Sequence, residues 1–252
     1  MATELSAEGI TVRYGALVAV EAVTVRFRSG EVNAIIGPNG AGKSSLFAAC
    51  VNWTPHLGTV SLDGEDMTSV APERLARRGV VRSFQVNVAF PSMTVFDNVT
   101  AVAQLRERWV WRRNGRWASG LNRRGGMSER VTRLLDQVRI PRSAMERYPA
   151  ELSFGLQRHL SVALALALEP VVLLLDEPGA GLSESELDEV GGLIADLAGG
   201  GVAVGLIEHR MSLVMAHAHE VLVLDDGREI FRGSPAEVQA SSAVQQAYLG
   251  VA

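Results

Sequence analysis

Apolar and polar positions change period several times along the chain, and each change marks an element. Ile10 to Tyr14 and Val18 to Phe27 alternate and are rich in β-branched residues, the pattern of antiparallel strands. Val32 to Ile36 is a short apolar run, and Val171 to Leu175 and Val202 to Ile207 are runs solid enough for strands buried on both faces. Val60 to Leu62 runs into an Asp63-Gly64 turn, and Val80 to Phe84 is a further short run. Leu160 to Leu168 and Val131 to Val138 follow helical spacing. Val221 to Leu224 and Glu229 to Phe231 flank Asp225-Asp226-Gly227, a hairpin signal, and Ser234-Pro235-Ala236-Glu237 combines a capping box with proline at the first helical position. Strands that alternate with helices predict an α/β protein.

The run Val32 to Ile36 delivers Gly37-Pro38-Asn39-Gly40-Ala41-Gly42-Lys43-Ser44 into a helix, the P-loop spacing G-x-x-x-x-G-K-[ST]. Glycines let successive backbone N–H groups approach phosphates, and the helix N-terminus adds a dipole that favours anions. The lysine then reaches the β- and γ-phosphates and Ser44 ligates magnesium. Lys43 is also the only lysine in the chain, every other strongly basic side chain being arginine. A compact ammonium suits phosphate.

Two further apolar runs end in chemistry. Val171 to Leu175 leads into Asp176-Glu177, the Walker B pattern, in which the aspartate holds magnesium through water and the glutamate polarises an attacking water. Val202 to Ile207 leads into Glu208-His209, where a histidine either touches a γ-phosphate or serves packing. Gln85, where the Val80 to Phe84 run ends, suits magnesium or a water equally with an exposed loop. Tyr14 fits either an adenine ring or a covered sheet edge. Ser153 stands at a helix N-cap, a possible anion site or an ordinary cap.

Composition narrows the class. The chain has 252 residues, 47% apolar and 21% charged, enough for one large α/β unit with an insert. A formal charge of −4 gives no general reason for a nucleic-acid or anionic-membrane partner. The segment from Gln104 to Arg133 departs from this, with nine arginines against Glu107 and Glu129, a local +7 that leaves −11 elsewhere. Trp109, Trp111 and Trp117 are interleaved with those arginines. Single-stranded nucleic acid, a membrane face or a solvated insert all fit that mixture, and Gly115, Gly120, Gly125 and Gly126 argue against one long helix. Cys50, the one cysteine, is expected to be a buried hydrophobe, which suits a reducing cytoplasm. Met1 to Gly9 has no apolar core and is not expected to be a signal peptide, and Leu160 to Leu175, interrupted by Glu169-Pro170, falls short of a membrane span.

Together these residues resemble the ATP-binding subunit of an ABC transporter over essentially the whole chain. The most specific element is Leu152-Ser153-Phe154-Gly155, which is similar to the family's signature sequence. The resemblance implies a P-loop NTPase (RecA-like) core, residues 1–88 and 160–252, with an antiparallel β subdomain and an inserted α-helical subdomain, 89–159, carrying the signature. It implies ATP and Mg2+ as cofactors, with the phosphates held by Gly37, Asn39, Gly40, Ala41, Gly42, Lys43, Ser44 and Ser45, and the metal by Ser44, Gln85 and Asp176. Glu177 is then the catalytic carboxylate, His209 the switch histidine, Gln85 the Q-loop residue, Lys43 the catalytic lysine and Tyr14 the adenine-stacking aromatic. Ser153 and Gly155 serve the γ-phosphate of a second subunit, identical or paralogous.

Arg82-Ser83-Phe84-Gln85, Phe90-Pro91-Ser92-Met93-Thr94-Val95, Ile207-Glu208-His209 with Met211, and Ala247-Tyr248-Leu249-Gly250 are similar to branched-chain amino acid importer ATPases, whose close relatives serve urea and short amides. The implied partners are integral membrane permease subunits, reached through the groove near Gln85 to Asn98, and a solute-binding protein. That places the chain in the cytoplasm, peripheral on the inner face of the membrane. Leu156, Leu164, Ser183 and Arg210 depart from the family's usual Gln, Arg, Asp or Asn, and Asp. They leave open a regulatory subunit that needs a catalytic partner. A soluble nucleic-acid ATPase is disfavoured, since neither tandem cassettes nor long heptads are present.

Overall fold

The computed structural model describes residues 3–83, 89–114, 123–242 and 244. In chain order the first elements are β1 (Glu4–Tyr14), β2 (Leu17–Arg28), β3 (Val32–Ile36), α1 (Lys43–Cys50), β4 (Leu57–Leu62), β5 (Glu65–Asp66), α2 (Pro72–Arg77) and β6 (Val80–Arg82). Three helices follow: α3 (Val95–Asn114), α4 (Arg123–Gln137) and α5 (Phe154–Leu166). The chain then gives β7 (Val172–Asp176), α6 (Glu184–Gly199), β8 (Ala203–Ile207), α7 (Met211–His217), β9 (Glu220–Asp225), β10 (Arg228–Gly233) and α8 (Pro235–Ala240). Two compact units result, residues 1–82 with 171–252, and residues 83–170.

The first unit holds two sheets. The antiparallel one has the order β2-β1-β4-β5, and the other β10-β9-β3-β8-β7-β6, parallel except for β10. As the apolar runs require, β3, β7 and β8 are buried at every position. Strands β1 and β2 begin and end beyond their alternating stretches, because their outer residues pair with each other, Glu4 opposite Arg28 and Tyr14 opposite Leu17. Helix α1 is enclosed by this core: Leu46, Phe47, Ala49 and Cys50 are all fully buried. Phe47 meets Phe27 edge to face, ring centroids 5.9 Å apart. Burial pushes the Cys50 thiol up to about 12, which makes it the inert hydrophobe expected.

The hairpin of β9 and β10 and the capped helix α8 form as the pattern predicts, with Ser234 and Glu237 completing the capping box. Helix α6 has no counterpart among the sequence expectations. Its signal is nonetheless present, since Ser183 accepts from Glu186 N–H while the Glu186 carboxylate accepts from Ser183 N–H at 2.9 Å.

The second unit is helical, with short 3₁₀ turns at Arg142–Ala144 and Pro149–Glu151. Of the Arg- and Trp-rich segment, residues 104–114 belong to α3 and 123–133 to α4, and Gly125 and Gly126 do not break it as expected: both lie inside α4. Glycine in a helix costs only about 1 kcal/mol relative to alanine, which the packing of α4 against α3 and α5 offsets. Gly115, Gly120 and Trp117 lie outside the described residues. Two arginines of the segment have inward duties, Arg130 meeting Glu169 at 2.8 Å and Arg106 the same carboxylate at 3.3 Å. Asn98, fully buried, pins the preceding loop by accepting from Phe90 N–H and donating to the carbonyls of Phe90, Met93 and Thr94.

Gly205 on β8 faces Phe27 of the other sheet with no room for a side chain: a Cβ there would lie 2.6 Å from both Leu174 Cδ2 and Phe27 Cε1. Gly205→Ala is expected to destabilise the first unit by about 1–3 kcal/mol through overpacking, read as a lower denaturation midpoint at unchanged slope.

Candidate functional site

Parallel register builds the site. Ile35 of β3 pairs with Ile207 of β8, and Ile207 pairs with Asp176 of β7, so three neighbouring strands end level. Their C-terminal ends deliver the glycine-rich loop, Glu208-His209 and Asp176-Glu177 side by side, the edge at which parallel α/β sheets bind ligands.

The loop has the shape of an anion cradle. Gly37, Gly40 and Gly42 take φ of 152°, 88° and 94°, and a Cβ at Gly37 or Gly42 would lie 2.1 Å from the carbonyl oxygen of Leu224 or Ala19. A Cβ at Gly40 would meet nothing within 4 Å, so the rim of the loop at Asn39 and Gly40 is open. Ala41 is buried behind it. The Lys43 ammonium lies inside the loop and donates to Gly37 O and Pro38 O, both at 2.8 Å. Desolvation holds its pKa below the ordinary lysine value, opposed by the charges of Glu177 and Asp176. A buried ammonium hydrogen-bonded to carbonyl dipoles is ready for a stronger anionic partner.

Ser44 Oγ stands 3.4 Å from Asp176 Oδ1, a hydroxyl and a carboxylate oxygen facing each other. These are hard oxygen donors of the kind magnesium takes, and two protein ligands suffice for an ion that is otherwise held by phosphates and waters. Consistent with that, the described residues contain no larger cluster of His, Cys, Asp or Glu able to hold a metal by themselves. The other Asp176 oxygen is held by Arg82 at 2.6 Å, with both side chains largely buried. Arg82 also lies over the Trp53 ring, 5.4 Å from its centroid.

Glu177 takes a left-handed conformation, φ 51°, just past the end of β7, and its N–H donates to Ile207 O at 2.9 Å. That turn aims the carboxylate along the sheet edge, where Oε1 meets His209 Nε2 at 2.8 Å. Tyr14, half exposed at the end of β1, is hydrogen-bonded by the hydroxyls of Ser45, on α1, and of Thr54, which lower its phenol pKa. The phenol is thereby tied to α1, the helix that follows the cradle, while half of the side chain stays exposed.

Ser153 and Gly155 belong to the other unit. Ser153 caps α5 by accepting from Leu156 N–H at 3.3 Å, and Gly155 is buried. Gln85 lies outside the described residues. Leu164 is half-buried on α5. Ser183 caps α6 as Asp or Asn would, so that departure preserves the local fold.

The sequence reading named Arg82 and Glu208 only within motifs. The signal was there in both: each is a charged residue closing an otherwise apolar strand. What it lacked was the partner across the sheet.

The family model described as ABC transporter matches residues 20–180, and one described as branched-chain amino acid ATP-binding cassette transporter matches residues 228–252. The chain is 36% identical to the high-affinity branched-chain amino acid transport ATP-binding protein BraF of Pseudomonas aeruginosa. It is 34% identical to LivG of Escherichia coli, described in the same words, and each alignment covers 98% of both chains. A nucleotide-free ATP-binding cassette from an ABC transporter superposes with a TM-score of 0.85 at 25% identity, covering 99% of this chain and all of the other.

Removing Arg82 while Asp176 stays leaves a buried carboxylate without its strongest partner. Arg82→Met is expected to cost about 3–5 kcal/mol, and adding Asp176→Leu to recover most of it. Equilibrium denaturation of the two variants checks this, and equal stability of single and double variant would contradict it.

Proposed function

The chain belongs to the ABC transporter family, and on that premise we propose that it is the ATP-hydrolysing subunit of an importer for branched-chain amino acids. The observation that carries the mechanism is the 2.8 Å contact between Glu177 and His209 on the same sheet edge as the Lys43 loop. The substrate class rests on the relatives named above and on the C-terminal match over residues 228–252.

In this reading Tyr14 stacks on adenine while the amides of residues 37–45 and the Lys43 ammonium take the phosphates. Lys43 exchanges two carbonyl partners for phosphate oxygens, a gain in charge complementarity at little cost in position. Ser44 and Asp176 would hold magnesium, which supplies positive charge against the developing negative charge of the phosphoryl group. Arg82 keeps Asp176 turned so that one oxygen faces Ser44. Glu177 accepts a hydrogen bond from the attacking water. The water oxygen then bonds to the γ-phosphorus as the bond from that phosphorus to the β,γ-bridging oxygen breaks, the water's proton passes by way of Glu177 to the released phosphate, and ADP leaves. His209 holds Glu177 in place through its 2.8 Å contact and would serve the γ-phosphate as the switch histidine. Gln85, which the family resemblance assigns to the metal, would serve it as a further ligand.

Ser153 and Gly155 complete the site of a second copy or a paralogue, so that two nucleotides are enclosed between two subunits. Closure passes to permease subunits through the stretch 85–98, and a solute-binding protein delivers cargo on the other side. Among the described residues no helix is long and apolar enough to cross a membrane. The chain thus acts at the inner membrane face through those subunits.

Glu177→Gln preserves shape and removes the charge. It is expected to keep ATP binding and to lower magnesium-dependent turnover by about 10²-fold or more, with phosphate release and nucleotide affinity measured on the same preparation. Turnover at the parental rate would remove the catalytic role from Glu177.

A further inference from the structure

One ionisable group at the site edge takes no part in the chemistry above. Glu208 is 1% exposed, and its carboxylate points back under the sheet edge. Oε1 accepts from Gly179 N–H at 2.5 Å, and Oε2 accepts from the N–H groups of His209 at 2.9 Å and Arg210 at 3.1 Å. Three backbone donors on two loops converge on one side chain.

We propose that Glu208 is the positioning residue for the Glu177–His209 pair, clamping the loop after β7 to the loop after β8 so that the two catalytic side chains are held in register before nucleotide arrives. This rests on the catalytic reading of Glu177 and His209 given above. Sheet pairing ends at Asp176 opposite Ile207, with one further bond from Glu177 N–H to Ile207 O, one residue short of Glu177 and two short of His209 on their own strands. Beyond that point the backbone direction is set by whatever holds the loops. Glu208 ties residue 179, two past Glu177, to residue 209 itself.

The neighbours are shaped around the clamp. A Cβ at Gly179 would lie 2.7 Å from Glu208 Oε1 and 2.5 Å from Leu187 Cδ1, so the Gly179 N–H reaches the carboxylate because that position has no side chain. A second tie lies outside the first: the Arg210 guanidinium donates to Leu182 O at 3.1 Å and pairs with the Glu184 carboxylate at the start of α6. Residues 208–210 therefore grip the stretch 179–184 at both ends. Arg210, a departure from the family's usual aspartate, here has a defined partner set within its own chain.

Burying a carboxylate is a poor way to gain stability, since an apolar side chain of similar volume serves as well or better. What an ionised carboxylate does better is orient several N–H groups at once, because charge-assisted bonds are about twice as strong as neutral ones. Misplacing a reacting group by about 1 Å can cost about 10²-fold in rate. A clamp there acts on kcat.

The test compares Glu208→Gln, Arg210→Ala, His209→Ala and the double variant Glu208→Gln/His209→Ala in the full chain, with Glu177→Gln as control. The amide introduced by Glu208→Gln would turn an N–H toward one or more of the three backbone donors, breaking the clamp at nearly constant volume. Glu208→Gln is expected to lower kcat about tenfold or more with KM for ATP and nucleotide affinity within about twofold. The double variant should lose less than the product of the two single losses, since part of what Glu208 positions is that histidine. Arg210→Ala, at a partly exposed side chain, should lower kcat by a smaller factor at unchanged affinity, and it keeps the proposal testable if Glu208→Gln fails to fold. The clamp is overturned by parental kcat in both single variants. Losses in Glu208→Gln and His209→Ala that simply multiply would overturn it equally, because they show independent action. If instead Glu177→Gln keeps parental turnover, it is the catalytic assignment that fails.

Discussion

The level ending of β3, β8 and β7 is the constraint from which the site follows. Parallel strands share direction, so once Ile35, Ile207 and Asp176 are in register, every residue one or two places further along reaches the same edge. The cradle, the acids and the histidine come from stretches of chain that lie far apart in sequence. A slip of one residue in either pairing would turn Asp176 or Ile207 to the opposite face and dismantle the arrangement. Every position of these strands is buried, so a slip would misplace closely packed side chains on both faces.

Charge at the edge of this core is then managed by partners rather than by solvent. Lys43 is satisfied by two loop carbonyls, Asp176 by Arg82, and Glu208 by three amides. The partner types differ, and so do the consequences. Carbonyl dipoles hold an ammonium weakly enough to be exchanged for phosphate. The guanidinium holds one oxygen of Asp176 and leaves the other toward Ser44. Three amides hold a carboxylate permanently, which suits a residue that orients others. The same contrast separates the half-exposed Tyr14, tied through its hydroxyl, from the enclosed ring of Phe47.

Legibility in the sequence tracked the range of the interaction. The strands, the P-loop and the α8 cap are local patterns, readable from spacing of apolar residues, glycine and serine. The capping box of α6 was equally local and passed unread, because Ser183 was weighed as a departure from a motif rather than as a cap. Gly125 and Gly126 misled in the other direction, since a helix propensity cost of about 1 kcal/mol each yields to tertiary packing. Arg82 and Glu208 were visible only as charges at strand ends, because Asp176 and Gly179, which they meet on the neighbouring strand and its loop, lie far off in sequence.

The sequence by itself determined the chemistry on offer: a phosphate cradle with a single lysine, two acids after one buried strand, and a glutamate and histidine after another. It also determined the family, because those motifs occur in one order along the whole chain. Tertiary structure alone decided which of those groups touch. The pairing of Glu177 with His209, the hold of Arg82 on Asp176 and the convergence of three amides on Glu208 all depend on strand order β3-β8-β7-β6. Strand order is set by which apolar faces bury each other best, a sum over the whole core that no local stretch of sequence contains.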